Sequence, residues 1–142
     1  MWFFRPEKFF FERLSHDADL FTEIRDIFGR SGGRMGFFTA VGAVKNARIA
    51  FYDQNRKEYI ETFLDGPAEI LSCVGNISDI EGDVSVHAHI TLGYADSSVR
   101  GGHLLEGTAV FACELFGVIL EGDVLHRKFD DITGLKLWEH GT

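Results

Sequence analysis

Residues 84–92 show the clearest alternation of apolar and polar side chains in the chain. The apolar residues occupy one set of alternate positions, and Ser85, His87, His89 and Thr91 occupy the other. A period of two is typical of a β-strand that buries one of its faces. The pattern therefore predicts that His87 and His89 project from the same face of one strand, with Cα atoms roughly 6.5–7 Å apart.

A longer period appears nearer the N-terminus. Apolar residues recur every three or four positions between residues 20 and 28, which predicts an amphipathic helix. Ser15 or Asp17 is predicted as its N-cap and Gly29 as its C-terminal stop. Residues 3–13, which mix aromatic and charged side chains, predict an edge strand before this helix.

From residue 36 the pattern indicates strands, and these are predicted at residues 37–44, 47–52, 57–64 and 69–77, before the histidine strand. Residues 53–56 are predicted as a hairpin turn and residues 94–100 as a loop. Residues 102–120 are predicted as one or two strands with bulges, with a helix over residues 108–116 as the alternative. Residues 126–138 are predicted as a last strand.

One helix followed by many short strands favours an α+β fold with an antiparallel-rich sheet. The chain has 142 residues, a length typical of one domain. We therefore expect a single domain over residues 1–142, with the N-terminal strand and helix at about 3–29 and the sheet at about 36–138.

Composition and charge count against several classes of function. The chain has 22 acidic and 14 basic residues and a formal net charge of −8, so its field repels the phosphates of DNA, which makes DNA a doubtful partner. It lacks both a run of about 20 apolar residues that would span a membrane and the uninterrupted apolar region of a signal peptide. We expect a cytoplasmic protein with no membrane partner, in which Cys73 and Cys113 are reduced core residues.

The histidines carry the candidate chemistry. If the segment after Gly101-Gly102 forms a strand beside the first, His103 joins His87 and His89 on one face. Three neutral imidazoles suit Zn²⁺, and also Ni²⁺, Co²⁺ or Cu²⁺. The alternative is an ordinary amphipathic strand with both histidines facing solvent. We interpret the remaining histidines as surface residues: His16, His126 and His140.

Three protein ligands leave one tetrahedral position open, as in catalytic zinc sites. Such a position would bind, or transform, a small anionic molecule such as a carboxylate. Lyase- or hydrolase-like chemistry there would need acid and base partners, and the sequence shows no complete set.

Four residues are the candidates for these catalytic roles. Arg100 would hold an anion, while Glu61 and Glu114 are carboxylates in apolar segments, where burial raises a pKa. Glu106 faces away from His103 on a regular strand unless a bulge or a neighbouring subunit intervenes. For each of the four, a solvated face or a structural ion pair is the alternative.

Four segments in combination resemble the prokaryotic branch of the plant-and-prokaryote-conserved (PPC) domain family. They are GFFTAVGAVKNARIAFYDQNRKEYIE (residues 36–61), EILSCVGNIS (69–78), GDVSVHAHITLG (82–93) and GGHLLEGTAVFACELFGVIL (101–120). The resemblance extends over about residues 12–138.

The resemblance implies an α+β domain built on an antiparallel sheet and assembled as a homotrimer. It also implies a metal, usually zinc, on an H-x-H…G-G-H triad that falls on His87, His89 and His103. The fold of this family is similar to that of acetolactate decarboxylase, which also holds zinc with three histidines. Prokaryotic members are often provisionally named as DNA-binding proteins.

This chain departs from the plant members of the family in two respects. It has no AT-hook core, and residues 66–71 read Gly-Pro-Ala-Glu-Ile-Leu where plant members have Gly-Arg-Phe-Glu-Ile-Leu. The sequence therefore favours a zinc-binding PPC domain that takes a small anionic ligand. The alternative is a DNA-associated regulatory module or a trimeric scaffold for protein partners.

Overall fold

An eight-stranded sheet forms most of the molecule. The structure, a computed structural model, describes residues 1–139. Its strands in chain order are β1 (Arg5–Leu14), β2 (Gly36–Val44), β3 (Ala47–Asp53), β4 (Glu58–Leu64), β5 (Ala68–Ile80), β6 (Asp83–Gly93), β7 (Val99–Leu104) and β8 (Val110–Glu121). They lie in the order β1-β8-β2-β5-β6-β7-β3-β4, and every pairing is antiparallel. The α+β prediction is confirmed, with β1 at one edge.

The one helix of residues 1–139, α1 (Leu20–Arg30), packs against β6 and closes one face of the sheet. Its buried residues are Leu20, Ile24, Ile27 and Phe28, each contributing roughly 1.5–3 kcal/mol through burial. They meet apolar side chains of the sheet, among them Phe38, Ile77, Ile90 and Leu115, and form one hydrophobic core. The amphipathic pattern was therefore a sound guide to this helix.

The predicted helix ends need correction. The N-cap is Asp19, whose Oδ1 accepts from Thr22 N at 2.8 Å. Its Oδ2 accepts from the backbone N–H groups of Gly107 and Thr108, so the cap also fixes the start of the segment that leads into β8. Ser15 and Asp17 were wrong as caps because Asp19 stands directly before the first helical residue. Gly29 lies inside the last turn, and the helix ends at Arg30.

Three strand predictions also change. Residues 108–116 contain no helix, because β8 pairs on both sides, with β1 and with β2. The loop before β7 is shorter than predicted, since β7 begins at Val99. Residues 126–138 form a separate hairpin of β9 (Arg127–Asp130) and β10 (Leu135–Trp138). Its turn is set by Asp130, whose Oδ2 accepts from Thr133 N and Oγ1, and by Gly134 at φ 75°.

The C-terminal segment covers part of the sheet face opposite α1, and the rest of this face is open and largely apolar. One row of register partners crosses all eight strands and consists of Phe11, Phe116, Thr39, Val74, His89, His103, Ala50 and Glu61. Directly opposed residues share a face, so this row places the histidines on the open face. Large apolar side chains are exposed near its other end, including Phe9, Phe11, Phe37 and Val74. Among residues 1–139, no helix is long and apolar enough to cross a membrane.

Candidate metal centre

Two neighbouring strands bring three imidazoles together. His87 and His89 alternate on β6, and His103 on β7 is the direct register partner of His89. The ring centroids are 5.1–5.6 Å apart, and one nitrogen from each ring can be chosen so that all three lie within 4.8 Å of one another. Tetrahedral zinc with bonds of 2.0–2.1 Å requires roughly 3.3 Å between nitrogens. Small ring rotations therefore suffice to close this set, here called the histidine floor, on one ion.

The two glycines before His103 allow the strands to approach closely. A Cβ on Gly101 would lie 2.5 Å from the Ile90 carbonyl oxygen, and a Cβ on Gly102 would lie 2.7 Å from that of Ala50. Any side chain at either position would push β7 away from β6 or β3. The Gly-Gly-His sequence thus has a steric reason that is separate from metal chemistry.

Burial keeps two of the three imidazoles in the form that binds metals. Burial, followed by the neighbouring His87 and His89, lowers the pKa of His103 to about 4. Burial is also the main cause of the lowered pKa of His87, with smaller contributions from Arg127 and His89. Neutral imidazole is the form that ligates metals. At neutral pH His87 and His103 therefore present unprotonated nitrogens.

A cleft of about 420 Å³ adjoins this floor, and its far side is the β9–β10 hairpin. We call the cleft the metal cleft and the hairpin, residues 127–138, the hairpin wall. His87, His103 and Tyr59 line the sheet side, and the Tyr59 ring lies 5.1 Å from that of His103. Arg127, Lys136 and several apolar side chains line the wall side, so the cleft combines candidate metal ligands, two cations and an apolar surface.

Arg127 is the residue that sequence reasoning missed. It donates from Nε to Ser78 Oγ at 3.0 Å, from Nη2 to Asn76 Oδ1 at 2.9 Å and from Nη1 to the Lys136 carbonyl at 3.1 Å. Its guanidinium lies 5.2 Å from the centre of the Trp138 ring. No motif surrounds Arg127, and the only signal was the pair of polar residues, Asn76 and Ser78, on a strand that otherwise reads as buried.

Polar contacts hold the hairpin wall against the sheet. Tyr52 Oη donates to the Thr133 carbonyl at 2.6 Å, and Lys57 Nζ donates to the Asp131 carbonyl at 2.7 Å. At the start of the hairpin, His126 Nδ1 lies 2.6 Å from Oδ1 of the fully buried Asp79. These contacts join the wall to β3, to the turn after β3 and to β5.

The four candidate catalytic residues lie in different places. Glu61 shares the register row of His103, two strands away across Ala50, and forms an ion pair with Arg48. Glu106 pairs with Arg25 of α1 at 3.0 Å.

The other two candidates also lie apart from the floor. The Arg100 guanidinium is 5.3 Å from the centre of the Tyr94 ring, and strand alternation turns it away from the face of His103. Glu114 lies on β8, three strands from β6. The structure therefore brings the three predicted metal ligands together and leaves these four outside their cluster.

The remaining histidines and the cysteines lie outside the cleft. His16 contacts the Phe111 carbonyl at 2.7 Å, and its side chain is exposed. His140 falls outside the described residues. Cys73 and Cys113 are free and buried, and burial raises the pKa of each thiol to about 12. Neither thiol is therefore a ready nucleophile or metal ligand at neutral pH.

Comparison with known proteins identifies a family and several solved structures that the chain resembles. The family model for the Plants and Prokaryotes Conserved (PCC) domain matches residues 3–121. The chain is similar to a metal-containing protein from Archaeoglobus fulgidus, at 40% identity and a TM-score of 0.94, with 99% of each chain covered. It is also similar to a PPC protein from Pyrococcus horikoshii, at 33% identity and a TM-score of 0.93, covering 99% of this chain and 96% of that one.

A more distant likeness concerns the fold alone. Acetolactate decarboxylase from Bacillus subtilis aligns at 14% identity with a TM-score of 0.58, over 88% of this chain and 57% of that one. The expected similarity to that fold is therefore confirmed. Comparison with curated proteins gives no match.

Proposed function

Since the chain belongs to the Plants and Prokaryotes Conserved (PCC, or PPC) domain family, we propose that it is a metal protein that binds a small anionic ligand. In this proposal His87, His89 and His103 hold one transition-metal ion, with zinc as the first choice. The observation that carries it is the set of three imidazole nitrogens within 4.8 Å of one another. The similarity to a metal-containing protein from Archaeoglobus fulgidus supports it.

The donor set favours a site with an open coordination position. Three neutral nitrogens from adjacent strands fit zinc, and they leave room for one further ligand at tetrahedral geometry. When bound there, the ion supplies a Lewis-acid position for a water or a ligand oxygen. Within the cleft, Arg127 contributes positive charge and Tyr59 a hydroxyl, whose pKa is raised chiefly by burial, so that it remains a donor at neutral pH.

We extend the proposal to a homotrimer. Support comes from the open sheet face, where large apolar side chains remain exposed in the single chain. Phe11 is 81% exposed, Phe9 64% and Val74 55%, and exposed apolar patches of this kind are typical of association surfaces. We also propose a cytoplasmic location, where free thiols such as Cys73 and Cys113 persist.

Elemental analysis tests the metal proposal. We expect purified protein to hold about one zinc or related ion per chain, with His87→Ala and His103→Ala both depleted. His16→Ala is the matched control, because His16 lies outside the cluster and contacts only Phe111 and Asp17. Equal metal content in all four proteins would refute the proposal.

Two rival roles give different results in the same preparations. Duplex DNA binding that depends on salt and survives both histidine substitutions would indicate the DNA-associated module instead. Unfolding on chelation would indicate a purely structural metal. We expect chelated protein to stay folded, because register pairing across the sheet and the core beneath α1 hold both ligand strands.

A further inference from the structure

Arg127 of the hairpin wall is a cation, and its hydrogen-bond and ring partners among residues 1–139 are all uncharged. A guanidinium has five N–H donors, and Arg127 directs three of them to a hydroxyl, an amide oxygen and a carbonyl. Two N–H groups, one on each terminal nitrogen, have no partner among residues 1–139. Burial lowers the pKa of Arg127, so solvent compensates its charge only in part.

The position of Arg127 relative to the histidine floor indicates what kind of ligand it would bind. It lines the same cleft as His87 and His103, and its charge contributes to lowering the pKa of both imidazoles. Ser78, Asn76 and Trp138 fix the guanidinium in place. A cation held rigidly beside a metal position is suited to a ligand that carries two oxygen groups, one for each centre.

The rest of the lining indicates what else the ligand contains. Phe129, Leu135 and Leu137 give the wall side an apolar surface, and Ile80 of β5 adds to it from the sheet side. The other cation of the cleft, Lys136, lies 3.4 Å from Glu81. A volume of about 420 Å³ falls within the range of small-molecule sites.

We propose that Arg127 is the anion anchor of the metal cleft and that its ligand is a small carboxylate with a second oxygen and a short apolar chain. The carboxylate contacts Arg127, the second oxygen takes the open metal position, and the chain lies against Phe129 and Leu135. This inference rests on the proposed metal site. Arg127 is a specificity-determining residue in this arrangement, and Tyr59 is positioned to donate to a ligand oxygen.

A carboxylate fits this lining better than a phosphate. One guanidinium with two remaining donors matches the two oxygens of a planar, singly charged carboxylate. A phosphate carries more charge and more acceptor oxygens, and Lys136 is already next to Glu81. The apolar surface of the wall also favours a ligand with a hydrocarbon part.

Binding to cobalt-substituted protein tests the inference, because the visible spectrum of Co²⁺ reports a new ligand without requiring turnover. The probes are 2-oxobutanoate, its methyl ester as the uncharged counterpart, and inorganic phosphate. In the unmodified protein we expect saturable binding of 2-oxobutanoate, with the ester and phosphate at least about 10-fold weaker. In Arg127→Met we expect the acid to weaken by about 10- to 100-fold, as for lost charge-assisted hydrogen bonds, with the ester unchanged.

Control variants separate this inference from the metal proposal. Lys128→Met removes the neighbouring cation, which pairs with Glu139 at 2.8 Å, and should bind the acid normally. Arg127→Gln keeps a donor for the polar contacts but loses the charge, so it should repeat the loss of Arg127→Met even if the methionine disturbs the hairpin. Cobalt content should be equal in all of these proteins.

Unchanged acid affinity in both Arg127 variants, with cobalt retained, would overturn the anchor and leave the metal proposal standing. Tighter binding of phosphate than of 2-oxobutanoate would overturn the carboxylate class. Failure of every protein to hold cobalt would overturn the metal proposal and the inference together.

Discussion

The histidine floor and the hairpin wall face each other across the metal cleft, but they are held in different ways. The floor belongs to β6 and β7, which have paired strands on both sides in the eight-stranded sheet. The wall consists of two four-residue strands, paired with each other and joined to the sheet mainly by polar contacts. The family model covers the floor and ends at residue 121, before the wall begins.

This difference indicates a division of roles. The floor carries the residue types that the family resemblance implies, in a setting that tolerates little change. The wall carries Arg127 and the apolar surface, on a segment that the family model does not include. Metal binding is therefore expected to depend on the floor, and ligand preference on the wall.

Among the substitutions that test the difference between floor and wall, Gly102→Ala should have the largest effect on stability. The added Cβ would lie 2.7 Å from the Ala50 carbonyl oxygen, where β3 and β7 share only two register pairs. We expect a loss of about 1–3 kcal/mol in the free energy of unfolding, measured by urea denaturation, together with weaker metal binding.

Gly29→Ala is the matched control for that substitution. Gly29 is helical, and its nearest outside atom to an added Cβ is Val84 Cγ2 at 3.9 Å. Alanine should therefore leave the protein equally stable or more stable. A Gly102→Ala protein with the urea midpoint of the unmodified protein would show that the floor is less constrained than its contacts indicate.

A smaller effect is expected on how the stability of the metal-free protein changes as the pH falls. His103 and His87 have lowered pKa values in the folded protein, whereas both should titrate near 6.5 when unfolded. The unfolded chain then binds more protons, so stability is lost as pH falls from about 6.5 towards 4. Solvent reaches part of both rings, which limits the size of the loss.

Comparison with His103→Gln isolates this contribution. Urea unfolding of both metal-free proteins at pH 7, 5.5 and 4.5 should show a flatter pH dependence for the variant, which lacks one titrating imidazole. Parallel curves for the two proteins would contradict the expected role of His103, since carboxylates titrate in both.

The smallest effect should come from Tyr52→Phe, which acts on the wall alone. The substitution removes the hydroxyl that donates to Thr133 at 2.6 Å, a loss of about 0.5–1.5 kcal/mol. Hydrogen exchange should become faster in β9 and β10 while β6 and β7 keep their protection, and metal content should not change. Equal acceleration in the floor strands would show that floor and wall open as one unit.

The same two regions explain how much the sequence could predict. Strict alternation located β6, and the Gly-Gly-His segment located β7, because side-chain direction in a strand follows directly from position. The helix was also readable, although its cap was not. Ser15, Asp17 and Asp19 are all capping residue types, and the apolar period does not show which of them directly precedes the first helical residue.

The wall was beyond sequence reasoning for a physical reason. Its turn depends on Asp130, Thr133 and Gly134 acting together, within a segment short enough to resemble one strand. Arg127 reaches the cleft only because the hairpin folds back onto β5, where its guanidinium donates to Asn76 and Ser78. Such contacts join distant parts of the chain and produce no periodic pattern in the local sequence, so the sequence alone does not predict them.

The shared face of the three histidines has a further consequence for how any molecule would reach an ion bound there. Rings that rise from one side of two paired strands can occupy only one hemisphere of a coordination sphere. Neither strand can place a ligand in the other hemisphere, so any further ligand would have to approach from the side that faces away from the sheet. The direction of approach is thus fixed by the register of β6 and β7 before an incoming molecule makes its first contact.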